Sequence, residues 1–271
     1  MSNHPIPHDK EKPAVSQRYD AWRSLRGDVD DTPLTLFEHL NELRRRLFRA
    51  LLALAIGVIA SVFFTGSILR YLIRPYGAEL QVLGPTESVV MYFRVALLAG
   101  AILAIPYITL QLFLFVAPGL TRKEKRWIYL ALPATTALFL IGVAFAWFIM
   151  IPAALGFLQD FESEVFKAEW TAERYIAFLT SLLFWIGVAF EMPVVVFVLA
   201  RLGIVGPAPL IRNWRLAVVL ITVVAALITP TVDPFNMLLV VGPLLVLYLL
   251  SIGLAMIAYP RALRANTRRR R

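Results

Sequence analysis

Three glutamates stand where a carboxylate either does chemistry or costs energy. Glu191 interrupts the apolar stretch Tyr175–Ala200 and is the one ionisable side chain deep inside any such stretch. A charge at a bilayer centre costs at least about 2.5–3.5 kcal/mol on insertion scales. Glu191 is therefore expected to be protonated, hydrogen-bonded or turned toward a wet cavity. Pro193 follows two residues on; it lacks the N–H that would reach the Ala189 carbonyl, so a kink is expected beside the acid. Two readings follow: a polar binding point or proton relay in a concavity, or a glutamic acid bonded to a neighbouring helix. Glu42 lies in His39-Leu40-Asn41-Glu42-Leu43-Arg44-Arg45-Arg46, and Glu124 in Ala117-Pro118-Gly119-Leu120-Thr121-Arg122-Lys123-Glu124-Lys125-Arg126. A carboxylate is the natural bidentate partner of a guanidinium. The plain alternative is an i,i+4 pair Glu42–Arg46 on a solvated helix, worth a few tenths of a kcal/mol. On the residues alone that alternative leads. Asp233, between Pro230 and Pro234, reads first as a turn former.

Other chemistries lack their residues. With no cysteine there is no disulfide framework, thiolate zinc site, iron–sulfur cluster or catalytic thiol. The three histidines, His4, His8 and His39, are too few and too N-terminal for a metal cluster. There is no HExxH, phosphate-cradling glycine loop, dinucleotide fingerprint or Ser/His/Asp grouping at depth. The expectation is a protein that is not an enzyme and takes no cofactor or metal.

The elements that would hold these acids follow from hydropathy. The chain has 271 residues, 59% of them hydrophobic and 17% charged, with mean hydropathy +0.71. Soluble domains are nearer 45–50% apolar and 25% charged, so one core cannot hide this excess. Residues 1–33 read as a flexible polar leader with no apolar stretch of the signal-peptide kind. Pro33–Arg46 reads as an amphipathic helix, with Leu36, Phe37, Leu40, Leu43 and Leu47 at 3/4 spacing. Six spans then fit residues 50–69, 95–116, 127–151, 175–200, 216–228 and 237–258 of a domain 34–259. A basic tail follows at 260–271. The fifth span has only thirteen residues, about 20 Å against a core of roughly 30 Å, so flanking residues extend it or the bilayer thins. Several internal prolines suggest a curved wall around a groove, or ordinary prolines tolerated in lipid.

Charge sets the orientation. Of 27 Lys and Arg, 22 fall before the first span, in the second and fourth inter-span segments and in the tail. The positive-inside rule then puts both termini in the cytoplasm. The net charge of +9 is read as topology and as affinity for anionic headgroups, not for nucleic acid.

At four ordered blocks the sequence resembles the TatC family, the polytopic receptor of the twin-arginine protein translocase. The blocks are His39–Arg46; Phe115-Val-Ala-Pro-Gly-Leu120 with Glu124; Gly187-Val-Ala-Phe-Glu-Met-Pro193; and Thr229-Pro230 with Asp233. The resemblance implies an all-α bundle of six transmembrane helices, cupped, in the cytoplasmic (inner) membrane. It implies a receptor for signal peptides bearing two consecutive arginines on folded cargo. Glu42 and Glu124 become the acidic contacts for those arginines, with Leu43, Arg44, Arg46 and Arg126 in the same patch. Phe115 and Pro118 shape the start of the first cytoplasmic loop. Glu191 becomes the buried polar residue of the concave face, and Pro75 and Asp233 far-side architectural positions. Implied partners are TatA- and TatB-like single-span subunits, the lipid bilayer and further copies of the chain. With no nucleotide site, the drive comes from partners or the proton motive force. Many family members carry a glutamine near the start of the last span and a glutamate further along; here those positions are Met237 and Leu249. A proton-coupled transporter, a lipid-modifying enzyme and a structural scaffold are the competing classes.

Overall fold

The computed structural model describes residues 36–77, 80–116, 122–161, 170–229 and 233–259; side chains at 36, 116 and 122–130 are outside that description. The leader 1–33 and the tail 260–271 lie outside it. The chain divides into a unit of residues 1–39 and a unit of residues 40–271. Of the first, only the opening residues of one helix are described.

The described residues are helical, with no named strand. The helices are α1 (Leu36–Ile73), α2 (Glu87–Val116), α3 (Arg122–Phe145), α4 (Ile151–Asp160), α5 (Ala172–Arg201), α6 (Pro207–Arg212), α7 (Trp214–Ile228) and α8 (Pro234–Ala258). A 3₁₀ turn, Arg74–Tyr76, closes α1, and a π turn, Ala146–Met150, joins α3 to α4. Five stretches are long and apolar enough to cross a membrane, and α7 is a shorter sixth apolar helix. Large apolar side chains stay uncovered along them, Phe63 at 83% and Leu227 at 81% exposed. In water that surface would drive aggregation; in lipid it costs nothing.

Two expectations about α1 and α8 need correction. The amphipathic segment and the first span are one helix through Ile73, not a helix ending at Arg46 followed by a second. No proline or glycine separates Arg46 from Ala50, so nothing stops propagation. The last helix starts at Pro234, three residues before the expected Met237. Asp233 caps it, its Oδ1 accepting from the Asn236 N–H at 2.7 Å and its Oδ2 from Asn236 Nδ2 at 2.8 Å, and Pro234 fits the first helical position. The other helices also overrun the apolar cores read from sequence. The α7 helix reaches fifteen residues, about 22 Å at 1.5 Å per residue.

Helices α1 and α2 run antiparallel in close contact. A Cβ on Gly57 would lie 2.5 Å from the Gly100 carbonyl oxygen, and one on Gly100 2.5 Å from the Val58 backbone. Beside this crossing the Ser61 hydroxyl donates to the Ala96 carbonyl at 2.6 Å, and Tyr92 donates to the Val62 carbonyl at 2.7 Å. These are the small-residue contacts and interhelical hydrogen bonds that hold helices together where lipid removes the hydrophobic drive. Helix α5 carries the largest share of the core, with Ile176, Leu179, Leu182 and Ile186 all but fully buried.

At the C-terminal end of α1 the chain is tied to the start of α5. Tyr175 donates to the Leu72 carbonyl at 2.9 Å, and the Trp170 N–H to the Tyr76 hydroxyl at 3.1 Å. Gln81 and Thr171 form an isolated parallel bridge, with the Ala172 N–H donating to the Gln81 carbonyl at 2.8 Å. The rings of Tyr76, Trp170 and Tyr175 pack at 5.4–6.0 Å.

Candidate functional site

Glu42 sits in the second turn of α1, half-buried. Four residues on, Arg46 reaches back to it, Nε donating to Oε1 at 3.0 Å and Nη2 to the same oxygen. The plain alternative read from the sequence is thus present as geometry, and it leaves Oε2 out of the pair. Leu43, Arg44 and Arg45 beside it are exposed.

The antiparallel register relates this end of α1 to α2. Gly57 faces Gly100 and Ser61 faces Ala96, so each step back along α1 is a step forward along α2. The N-terminal end of α1, with Glu42, and the C-terminal end of α2 thus lie at the same end of the pair, and Phe115 is half-buried in the last turn of α2. Helix α3 begins at Arg122, seven residues on from Phe115, and Glu124 is its third residue. The fold thus brings Glu42, Leu43, Arg44, Arg46, Phe115 and the α3 start that bears Glu124 and Arg126 to one end of the bundle. Pro118, and the side chains of Glu124 and Arg126, lie outside the described residues.

Glu191 is elsewhere, two-thirds of the way along α5 and 8% exposed. The Thr109 hydroxyl of α2 lies 3.0 Å from Oε2 and 3.3 Å from Oε1. A bond from this acid to a neighbouring helix is thus present as geometry. Helix α5 continues through Pro193. Thr109 and Gln111 escaped the sequence reading. Gln111 is 5% exposed with its Oε1 lacking a hydrogen-bond partner. The available signal was two polar residues inside the apolar stretch of α2, which alone does not say what they meet.

Pro75 and Asp233 both stand at helix ends. Pro75 is exposed within the 3₁₀ turn that ends at Gly77, whose φ of 73° suits a residue without a Cβ. Asp233 caps α8. Met237 and Leu249 are apolar members of the same helix, Leu249 66% exposed.

Long apolar helices, a buried interhelical carboxylate and an acid-and-arginine end define a polytopic membrane protein with no catalytic grouping among the described residues. The family model for the Sec-independent protein translocase protein TatC matches residues 38–243. The TatC of Synechocystis is 36% identical over 225 residues, 83% of this chain and 89% of that protein. Bacillus subtilis TatCd is 38% identical over 239 residues, 88% and 98%. The crystal structure of the twin-arginine translocase receptor TatC superposes with a TM-score of 0.74 at 35% identity, covering 82% of this chain and 99% of that one. The chain belongs to the TatC family.

Proposed function

We propose that the chain is the signal-peptide receptor of a twin-arginine translocase, taking folded cargo across the cytoplasmic membrane together with TatA- and TatB-like single-span subunits. The observation that carries the proposal is family membership over most of the chain, coupled with a carboxylate, Glu42, held by an arginine at an exposed helix end.

In this reading both termini are cytoplasmic, and the end bearing Glu42 and Glu124 faces the cytoplasm. That face has a net charge of +13, from 22 basic and nine acidic residues, so a dibasic peptide meets overall repulsion. Binding then needs local carboxylates. Glu42 already accepts a guanidinium from Arg46; a cargo arginine of the same shape takes the free oxygen or displaces Arg46. A bidentate fork matches a carboxylate in a way lysine's point charge does not. Leu43, Phe115 and Pro118 border the site, and Arg44, Arg46 and Arg126 set its charge. The apolar part of the peptide lies against exposed helix surface, still removed from water. Only Ala225 and Ile228 of α7 are buried, which leaves the rest of that helix for single-span partners.

The test compares an Arg-Arg signal peptide with its Lys-Lys version on the purified full chain, wild type and Glu42→Ala/Glu124→Ala. Tight Arg-Arg binding that is lost with lysines and in the double variant is expected. Equal binding of both peptides, unchanged in the variant, overturns the receptor reading.

A further inference from the structure

Near the C-terminal end of α1, at the opposite end of the bundle from Glu42, α1, α2, α3 with its π turn, and α5 leave a groove of about 430 Å³. Phe64, Ile68, Leu98, Ile102, Trp147 and Leu183 line it. Its one aliphatic hydroxyl, Ser61, is committed to backbone carbonyls at 2.6 and 2.8 Å, so the lining offers an occupant essentially no hydrogen bond. The π turn helps to shape the wall: the Ile151 N–H donates to the Ala146 carbonyl, five residues back, and Trp147 on that turn stacks on Tyr71 with ring centroids 4.8 Å apart.

Tyr71 also borders the groove. The guanidinium carbon of Arg74 lies 5.6 Å from the centre of its ring. Arg70, one turn earlier, is exposed, its Nη2 donating to the Ser67 hydroxyl at 3.2 Å. Neither arginine forms an ion pair with a described residue. Arg70 belongs to another face of α1, where a Cβ on Gly66 would meet its Nη1 at 3.9 Å, so the apolar slot at membrane depth opens beside one guanidinium, Arg74, and an aromatic pair of the kind that sits at headgroup level.

We infer that the groove seats one acyl chain of an anionic phospholipid whose phosphate is held at Arg74. Lining and charge select this occupant. An apolar wall with essentially no hydrogen bond to offer suits a hydrocarbon chain. The cation at the mouth favours a phosphate and disfavours an arginine-bearing peptide. The site is distinct from the Glu42 end and does not rest on the signal-peptide reading.

The test uses the full chain in nanodiscs of zwitterionic lipid doped with a minor fraction of lipid carrying brominated acyl chains, which quench tryptophan at contact. The Trp147 contribution is the difference between wild type and Trp147→Phe. Quenching is expected to be several-fold stronger with brominated phosphatidylglycerol than with brominated phosphatidylcholine. Arg74 accounts for about fivefold, at about 1 kcal/mol per basic residue near a charged surface. Arg74→Gln is expected to erase the preference, Arg74→Lys to keep most of it, and Arg70→Gln, on another face of α1, to leave it unchanged. Native mass spectrometry supplies a second readout independent of Trp147: phosphatidylglycerol retained by wild type and shed by Arg74→Gln. Equal quenching by the two lipids, an unchanged preference in Arg74→Gln, or displacement of brominated lipid by an Arg-Arg signal peptide overturns the inference.

Discussion

At the scale of single residues, the pair Glu42–Arg46 is the instructive one. Exposed or half-exposed i,i+4 pairs are worth about 0.3–0.5 kcal/mol. A cargo guanidinium can therefore replace Arg46 at small cost, and Arg46→Gln is expected to change Arg-Arg peptide affinity by less than about threefold, whereas Glu42→Ala should abolish discrimination against lysine. Calorimetric titration separates the two. The Thr109–Glu191 contact is different because both partners are buried. Interhelical hydrogen bonds in membranes average about 0.6 kcal/mol with a maximum near 1.7. A double-mutant cycle with Thr109→Val and Glu191→Ala, read by detergent-denaturant unfolding, should return a coupling in that range; a value of zero would separate the two side chains. Glu191 was legible in the sequence because an acid in an apolar run is conspicuous. Thr109 was not, because a threonine in such a run is ordinary and its partner is 82 positions away.

Single elements carry a second set of consequences. Gly100 sits where a Cβ would meet the Val58 backbone at 2.5 Å, and backbone cannot move aside as a side chain can. Gly100→Leu is expected to destabilise by about 1–3 kcal/mol through overpacking, while Gly253→Ala, with nothing within 4 Å of the new methyl, should be neutral or slightly stabilising. Thermal unfolding in detergent compares them. Loss of the α8 cap in Asp233→Ala should cost about 0.5–2 kcal/mol, with Asp233→Ser recovering most of it. The number and order of the apolar helices were legible from hydropathy alone. Their ends were not: apolar runs mark the lipid-facing length, while caps such as Asp233 and the uninterrupted passage from Arg46 to Ala50 decide where the backbone starts and stops. The π turn at Ala146–Met150 left no periodic trace, since one extra residue per turn over five residues is too brief to shift a hydrophobic pattern.

For the whole molecule, orientation and thickness are both measurable. A chain without cysteine takes single reporters cleanly. Glu173→Cys is expected to react with an impermeant maleimide on intact cells, and Ser2→Cys and Thr267→Cys only after lysis; the reverse pattern would invert the proposed topology. Four leucines added to α7 should impair export if its shortness thins the bilayer, and unimpaired export would sink that reading. The tie between Leu72 and Tyr175 bears on how such a chain is made. The two residues are 103 positions apart, and synthesis at about 5–20 residues per second separates their emergence by about 5–20 s. For that interval the first helical hairpin sits in the membrane with the Leu72 carbonyl and the Gln81 backbone waiting for α5. The newborn protein thus has a defined window in which insertion factors, rather than its own later helices, must shelter that end.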